Sequence, residues 1–282
     1  MIVFYGDITK PITKPITKPI TKPITKSKMS HNSRRLNKEA PLPQWFFAAF
    51  TGDRSGSMQD LDGAGASGLH DWFQTLKKSA KDNNQIGRIS VTTFDHQINR
   101  ILENADIKTT TFSKGEANSA MKPRGRTRLY DCAIRDIQSL LSNIENFRNS
   151  LAPAIKKLNP TISMTWVCCT DGFDNASGFS KKEFCKSVTR AREYGVKCLF
   201  IATNQDAVMS GEEYGFNPEE SMTFSANKNN AESAFKSVSQ TIRAASAGAS
   251  NLAFTPAMRT ASIDPHPLRE IGRKNYYLNM IR

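Results

Sequence analysis

The sequence predicts a Rossmann-like, doubly wound α/β domain, with helices covering both faces of a mostly parallel central sheet. We expect about six strands, one of them an antiparallel edge strand, in a three-layer sandwich. Two observations predict this fold class. Short apolar runs of strand length alternate along the chain with longer patterns of helical period. Two of these runs, residues 161–170 and 196–202, lack polar alternation, which is typical of strands buried on both faces of a parallel sheet.

The first part of the domain begins with an aromatic-rich run at residues 45–50, which predicts a strand starting near Gln44. A polar, glycine-rich loop follows, and then an amphipathic helix that we expect Gly87 to end. Residues 88–94 alternate and are rich in β-branched side chains, so they predict a second strand, with an antiparallel neighbour at residues 97–101. The helix is predicted from apolar residues at helical spacing: Leu69, Trp72, Phe73 and Leu76.

The second part opens with a polar stretch at residues 104–126, predicted to be a loop, and a long helix after it. The buried strand at residues 161–170 comes next. Four shorter elements follow: a helix at 181–194, a strand at 196–202, a helix at 208–214 and a strand at 221–225. The long helix and the final helix are predicted from their apolar faces: Leu129, Ala133, Ile137, Leu140, Leu141 and Ile144 in the first, and Ala231, Ala234, Phe235, Val238, Ile242 and Ala245 in the second.

Charge separates this domain from the two ends of the chain. The net charge is +13, and residues 1–40 hold nine Lys and Arg against two acids. Residues 9–26 repeat Ile-Thr-Lys-Pro, and such frequent prolines prevent a helix or sheet from propagating. We therefore predict a disordered, basic, low-complexity tail over residues 1–40, the domain over residues 41–250, and a second basic tail over residues 251–282. Met29 is a candidate alternative start, which would make the repeat dispensable.

Cysteine usage and hydropathy indicate the compartment. The five cysteines show neither zinc-site nor disulfide spacing, which is typical of reduced, buried thiols in an intracellular protein. No apolar run approaches the roughly 20 residues needed to span a bilayer. The apolar start at Met1 is too short to be a signal-peptide core. The sequence therefore predicts a cytoplasmic protein without a membrane span.

Oxygen-bearing side chains recur where predicted strands end or helices begin. Asp53, Ser55 and Ser57 follow the first strand as Asp-x-Ser-x-Ser, Thr127 lies just before the long helix, and Asp171 directly follows the central buried strand. In an open α/β sheet the carboxyl ends of the strands form the ligand-binding edge. Hydroxyls beside one or two carboxylates suit Mg²⁺, which takes hard oxygen ligands and tends to keep several waters. These five residues therefore predict a magnesium site.

On these residues the chain resembles a known family, the von Willebrand factor type A (vWA) domain with its metal-ion-dependent adhesion site. The family pattern is Asp-x-Ser-x-Ser, then a Thr, then an Asp after a hydrophobic strand. This sequence has Asp53-Arg-Ser55-Gly-Ser57, Thr127 in Gly-Arg-Thr-Arg-Leu-Tyr-Asp, and Asp171 in Thr-Asp-Gly-Phe-Asp-Asn, so all five positions match. The resemblance covers about residues 44–248. Residues 200–207 are also similar to a version seen in bacterial, phage and viral proteins of this class.

The resemblance implies an Mg²⁺-dependent protein-binding module, used in adhesion or assembly, rather than an enzyme. In such domains Mg²⁺ is held by the two Ser and one or both Asp, with the Thr directly or through water. An acidic residue of a partner protein completes the metal shell. Mn²⁺ and Ca²⁺ are alternative cations.

Charged residues surround the predicted ligands. Asp131 and Asp174 are candidates to orient the metal ligands through hydrogen bonds. A favourable charge at a helix N-terminus and a turn-forming residue explain them as well. Several basic residues are candidates to face an acidic partner surface, although an ordinary solvated rim explains them equally: Arg54, Lys122, Arg124, Arg126 and Arg128.

Two other functions stay open at this point. The basic tails favour binding to nucleic acid or an anionic surface, which would weaken steeply with salt and survive chelation of Mg²⁺. A metal-assisted hydrolase would use the same acidic and hydroxyl residues. An aspartyl phosphotransferase would want a second carboxylate where Ser55 stands, and the sequence has no phosphate-cradling Gly-x-x-x-x-Gly-Lys-Ser/Thr motif.

Overall fold

The sheet has the predicted architecture. A computed structural model describes residues 44–203, 206–246 and 253–264. Within these ranges one six-stranded sheet has the order β3-β2-β1-β4-β5-β6. Every pair of neighbours is parallel except β2 and β3, so the antiparallel strand lies at the edge. The strands are β1 (Trp45–Asp53), β2 (Ile86–Phe94), β3 (Ile98–Asp106), β4 (Ile162–Thr170), β5 (Lys197–Ala202) and β6 (Ser221–Thr223).

Helices cover both faces of this sheet, as the alternation of strands and helices predicts. The α1–α7 pair packs on one face and the α3–α5 pair on the other. No helix in the described part of the chain is long and apolar enough to cross a membrane. The helices are α1 (Ala64–Asp82), α2 (Lys114–Ala120), α3 (Leu129–Ser150), α4 (Pro153–Lys157), α5 (Lys181–Glu193), α6 (Ala207–Glu213), α7 (Lys228–Ser246) and α8 (Pro256–Ala261).

The core consists of two layers, one on each side of the sheet. Alternate residues of β1 point to opposite faces, as the strand period requires: Phe46 and Phe50 join the layer under α1 and α7, whereas Phe47 and Ala49 join the layer under α3 and α5. Because both faces are covered, all of β1 is buried. Burial of each large apolar side chain contributes about 1.5–3 kcal/mol to the free energy of unfolding. The central strands are therefore stable, and they hold the loops at their ends in fixed positions.

Two glycine positions differ from the sequence prediction. Gly87 does not end α1, which finishes at Asp82; it lies inside β2. A glycine is needed there because a Cβ would lie 2.1 Å from Cζ of Phe46. The glycine-rich stretch at residues 63–68 does not belong to the predicted loop either, because α1 begins at Ala64.

The polar stretch at residues 104–126 is more regular than predicted. β3 runs on to Asp106, and α2 occupies Lys114–Ala120. Ser113 and Glu116 form a reciprocal capping box at its start, in which the Glu116 N–H donates to Ser113 Oγ and the Ser113 N–H donates to Glu116 Oε2. The Ser-x-x-Glu spacing was therefore the sequence signal for this helix.

Residues 253–264 also differ from the irregular tail expected after residue 250. α8 packs against α7, Phe254 is buried, and the Arg259 guanidinium donates to the carbonyl oxygens of Pro218 and Ser221. The predicted tail at residues 1–40, with its repeat and Met29, lies outside the described residues, as do residues 204–205. The proposed domain boundaries stay predictions.

Gly68→Ala is expected to destabilise the domain by about 1–3 kcal/mol, because helix α1 touches α7 at this residue. A Cβ on Gly68 would lie 2.0 Å from Cγ of the buried Phe235. Gly115→Ala in α2 is the matched control, since its nearest neighbour would be Ser113 Oγ at 3.9 Å. That variant is expected to be neutral or more stable by up to about 1 kcal/mol. Urea unfolding of both variants checks the prediction, and equal stabilities would contradict it.

A buried polar network joins three strands to α3. Asp136 accepts hydrogen bonds from Oγ1 of Thr51 at 2.5 Å and from Oγ1 of Thr92 at 2.8 Å. Trp166 Nε1 donates to the same Thr51 oxygen at 2.8 Å. Burial raises the pKa of Asp136 to about 6, although the two threonine hydrogen bonds oppose the rise.

The raised pKa of Asp136 predicts a specific pH dependence of stability. In the unfolded chain the carboxyl ionises near pH 4 and in the folded chain near pH 6, so between those values the unfolded chain gives up a proton that the folded chain keeps, and stability falls as the pH rises. Asp136→Asn cannot ionise. The variant is therefore expected to gain about 3 kcal/mol relative to wild type as the pH rises through this window, and nothing further above it. Unfolding free energies of both proteins across the window measure this difference, and a pH-independent difference would contradict the assignment.

Candidate metal centre

The first loop of the site begins at the last residue of β1. Asp53 is fully buried, and its Oδ1 accepts a hydrogen bond of 2.7 Å from the N–H of Ser55. The chain then enters a 3-10 turn at Gly56–Leu61. This turn leaves the buried Ser55 and the exposed Ser57 with hydroxyl oxygens 3.2 Å apart. The Asp-x-Ser-x-Ser spacing thus places three oxygen groups on one short bend.

The second carboxylate comes from the neighbouring strand. β1 and β4 are parallel with Gly52 opposite Cys169, so Asp53 and Asp171 leave the sheet at the same edge. Asp171 Oδ1 accepts hydrogen bonds from Ser57 Oγ at 2.9 Å and from Ser55 Oγ at 3.4 Å. The structure therefore brings together four of the five predicted ligands by direct contact or through a shared neighbour.

Thr127, the fifth predicted ligand, is buried just before α3 and is held by backbone contacts. Its N–H donates to Asn175 Oδ1 at 2.9 Å, and its carbonyl oxygen accepts from the Asn175 N–H at 3.0 Å. The Gly56 N–H donates to the carbonyl oxygen of Gly125 at 3.1 Å. The loop that carries Thr127 is thus tied both to the serine loop and to the loop after Asp171.

Two desolvated carboxylates lie together in this centre. Burial, with the nearby charge of Asp171 adding to it, raises the pKa of Asp53 to about 7, although hydrogen bonds from Thr170 and Ser55 oppose the rise. Burial raises the pKa of Asp171 as well, against the hydrogen bonds from the two serines. Asp171 Oδ2 is buried and has no hydrogen-bond partner within the described residues. A buried carboxylate oxygen without a partner is unfavourable, so a cation at this point would be stabilising.

These residues fit a hard cation. The donors are two carboxylates and three hydroxyls, which are the oxygen ligands that Mg²⁺ prefers. Nowhere in the described part of the chain do three or more His, Cys, Asp or Glu side chains gather as a metal cluster. A cation at this centre would therefore be held by few charged groups and would rely on hydroxyls and water.

Three of the predicted partner-facing arginines form ion pairs inside the domain. Arg54 is buried and its Nε lies 3.1 Å from Asp95 Oδ2, so the predicted role does not fit it. The Arg128 guanidinium donates to Asp131 at 2.6 Å. Of the neighbouring basic residues, Arg124 also pairs with Asp95 at 2.6 Å.

Arg126 and Lys122 are the basic residues of this region that remain available. Both side chains are exposed, and neither has an ion pair or hydrogen bond with the described residues. They are the two positions in the 122–128 segment that can face an acidic partner.

Asp131 and Asp174 organise the loop after β4 rather than contact the predicted ligands. Asp131 accepts from the N–H groups of Gly178 and Phe179 at 3.0 and 2.8 Å. Burial acts to raise the pKa of Asp131, but these hydrogen bonds and the Arg128 guanidinium lower it below its usual value. Asp174 accepts from the Tyr130 N–H in the first turn of α3 and from the Ser177 hydroxyl. The turn and helix-terminus explanation therefore accounts for both carboxylates.

Three supporting residues were missing from the sequence prediction. Thr170 donates its hydroxyl proton to Asp53 Oδ2 at 2.6 Å, and Asn175 holds Thr127. Asp95 is fully buried and accepts from Arg124 and the Gln97 N–H. A hydroxyl directly before Asp171 and a carboxylate directly after β2 were visible in the sequence, but their partners lie far away along the chain.

Neither a protein-family model nor a curated protein matches this sequence. Solved structures do. The pilus adhesin SpaC from Lactobacillus rhamnosus GG has 11% identity and a TM-score of 0.52, covering 73% of this chain and 31% of SpaC. The vWF domain of the pili tip protein Mfa5 from Porphyromonas gingivalis has 10% identity and a TM-score of 0.49, covering 70% of this chain and 94% of that domain.

A third similar structure is proximal thread matrix protein 1 from the mussel byssus with a zinc-occupied MIDAS motif. It has 16% identity and a TM-score of 0.45, covering 71% of this chain and 46% of that protein. The chain thus spans less than half the length of the mussel protein and of SpaC. At such identities a structural likeness shows the fold alone. The six-stranded sheet, with its single antiparallel edge strand and helices on both faces, gives this chain a vWA-like α/β fold.

Proposed function

We propose that this domain is an Mg²⁺-dependent protein-binding module that coordinates an acidic residue of a partner protein. The observation that carries the proposal is the unpartnered, buried Oδ2 of Asp171 beside a second buried carboxylate. A cation there would offset the repulsion between Asp53 and Asp171 and give that oxygen a partner. The residues that would hold it are Asp53, Ser55, Ser57, Thr127 and Asp171. Mn²⁺ and Ca²⁺ are alternative cations.

The surrounding contacts support this role because they orient the ligands in advance. Asp53 is fixed through both oxygens, by the Ser55 N–H and the Thr170 hydroxyl. Backbone hydrogen bonds fix the three loops relative to one another. A bound Mg²⁺ would supply an electrophilic position that accepts a carboxylate, and with few charged ligands it keeps that capacity. The role we propose is therefore binding rather than catalysis.

The proposal includes an intracellular setting. All five cysteines are free thiols, and Cys132, Cys168, Cys169 and Cys198 are buried. Burial raises the pKa of each of these four thiols. This supports a protein that keeps its cysteines reduced.

Calorimetric titration of the full chain with Mg²⁺, paired with thermal unfolding, tests the proposal. We expect saturable heat and a rise in stability of about 2.7 kcal/mol at a cation concentration of about 100 Kd. Chelation is expected to reverse both effects. Neither heat nor stabilisation with Mg²⁺, Mn²⁺ or Ca²⁺ would overturn the metal site. Salt-sensitive binding to DNA or RNA that survives chelation would favour the basic tails instead.

A further inference from the structure

Large apolar side chains are exposed at the same edge of the sheet as the candidate metal centre. Phe173 is 64% exposed, Met209 52% and Phe179 40%. The two phenylalanines lie in the loop after β4, and Met209 lies in α6, which follows β5. We call these three residues the apolar rim. The other large apolar residues that are exposed in the described ranges lie at the opposite edge, since Ile86 begins β2 and Leu158 precedes β4.

The loop that carries the two phenylalanines is held by hydrogen bonds at several points. The N–H groups of Gly178 and Phe179 donate to the buried Asp131. Asn175 is bonded to Thr127 on both its side chain and its N–H. Phe173 lies between Asn175 and Gly172, and the Gly172 N–H in turn donates to Thr170 Oγ1 at 3.3 Å. Phenylalanine is enriched in protein interfaces, and an aromatic side chain on an ordered loop loses little ordering entropy on contact.

The neighbouring helix presents the third member of the apolar rim. Lys181, at the start of α5, forms an ion pair with Glu213 of α6. Met209 and Glu213 are four residues apart and so lie on one face of α6. The ion pair therefore connects the face that carries Met209 to the end of the phenylalanine loop.

Charge indicates what kind of partner fits here. The exposed Arg126 and Lys122 have no acidic partner within the described residues, and Phe173 follows Asp171 by two residues. A partner that brings an acidic group to a cation at Asp171 therefore also meets cationic and apolar side chains. Such a surface is complementary to a segment that carries both a carboxylate and a large apolar side chain.

We propose that the apolar rim is part of the partner-binding surface, and that its occupant is a protein segment with a large apolar residue adjacent to the acidic residue. This inference rests on the proposed function. The inference predicts that the domain binds two groups of the partner at the same time, the carboxylate and the apolar side chain next to it.

Fluorescence anisotropy with synthetic peptides tests the inference on the full chain in Mg²⁺. The peptides are capped Gly-Ser sequences with a central Asp flanked by Leu or Phe, with the same Asp flanked by Ser, or with Asn in place of Asp. We expect the Asp peptide with an apolar neighbour to bind about tenfold tighter than the Ser-flanked peptide. Phe173→Ser and Phe179→Ser are expected to abolish that preference while Mg²⁺ heat is unchanged. Leu158→Ser is the matched control, because Leu158 lies at the opposite edge and is 60% exposed, and this variant is expected to keep the preference.

The outcomes separate this inference from the proposed function. A chain that binds Mg²⁺ but shows no preference for an apolar neighbour, or binds none of the peptides, overturns the inference and leaves the metal site in place. A preference that survives in both phenylalanine variants overturns it too. Mg²⁺-dependent self-association that Phe173→Ser abolishes would assign the surface to a second copy of the chain instead. If Mg²⁺ produces neither heat nor stabilisation, the proposed function itself is overturned.

Discussion

Asp53→Asn is expected to abolish Mg²⁺ binding and, at the same time, to stabilise the metal-free domain. Loss of a residue that merely supports a metal ligand lowers affinity about 10–100-fold, so loss of a charged ligand is expected to lower it at least about 100-fold. The metal-free gain arises because burial and Asp171 make the ionised Asp53 unfavourable. Asparagine removes that charge and keeps the packing. Its Oδ1 can still accept from the Ser55 N–H, and its Nδ2 can donate to Thr170 Oγ1, which can turn its own proton toward the carbonyl oxygen of Gly172.

The expected gain is about 1–3 kcal/mol at pH 8, where the wild-type carboxyl is ionised, and it should shrink as the pH falls below about 7. Urea unfolding with chelator present measures it, and calorimetry measures the metal affinity. Asp60→Asn is the control. Asp60 is an exposed carboxylate of the same loop, so its loss should lower the cation affinity only slightly, through a long-range attraction that solvent and salt screen. A variant that loses both stability and metal would show that Asp53 serves the fold rather than a binding site.

Asp95→Ala is expected to lower the free energy of unfolding by about 3–5 kcal/mol, because it removes the partner of a buried charge. Asp95 is fully buried, and the Arg54 guanidinium beside it has little exposure. Burial acts to raise the pKa of Asp95, but hydrogen bonds from Arg124 and the Gln97 N–H, with the charge of Arg54, hold it below its usual value. Removing the carboxylate would leave the Arg54 charge buried, and among the described residues its remaining hydrogen-bond partner would be the carbonyl oxygen of Ala120 at 3.4 Å.

Arg124→Ala provides the comparison for this second prediction. Arg124 contacts the same carboxylate, but half of its side chain is exposed, so its loss is expected to lower stability by only about 1 kcal/mol. The double variant Arg54→Met with Asp95→Ala should be more stable than Asp95→Ala alone, because no charge then stays buried without a partner. Chemical denaturation of the three variants checks this order. Equal losses from Asp95→Ala and Arg124→Ala would show that Arg54 does not depend on Asp95.

The fold was predictable from the sequence because the signals that define it are local. The strands β1, β4 and β5 are continuous apolar runs, and α1, α3 and α7 each carry an apolar face at helical spacing. The prediction was wrong where a residue type has a role other than its most frequent one, as with a glycine that does not end a helix. Gly87 lies inside a strand because the Phe46 ring occupies the space of a side chain, and this neighbour on β1 is not visible in the local pattern.

The position of the candidate ligands at one edge of the sheet was predictable, but the residues that hold them there were not. The motif residues have side-chain oxygen atoms and lie at the ends of predicted strands, and both properties are visible in the local sequence. The contacts that position them join distant segments: Asp53 with Thr170, and Thr127 with Asn175. The role of Arg54 was misjudged for the same reason, since only the fold shows that Asp95 lies against it.

The hydrogen bonds between the serine loop and Asp171 span 114–116 residues of sequence, and this affects how the site forms during synthesis. At translation rates of about 5–20 residues per second, roughly 6–23 s separate the appearance of Ser55 from that of Asp171. Through that interval the nascent chain has β1 but lacks the strand that completes the centre. Such long-range closure is slow and comes late in folding. A cation bound there would therefore mark chains whose central strands have already assembled, and partner binding would be coupled to complete folding.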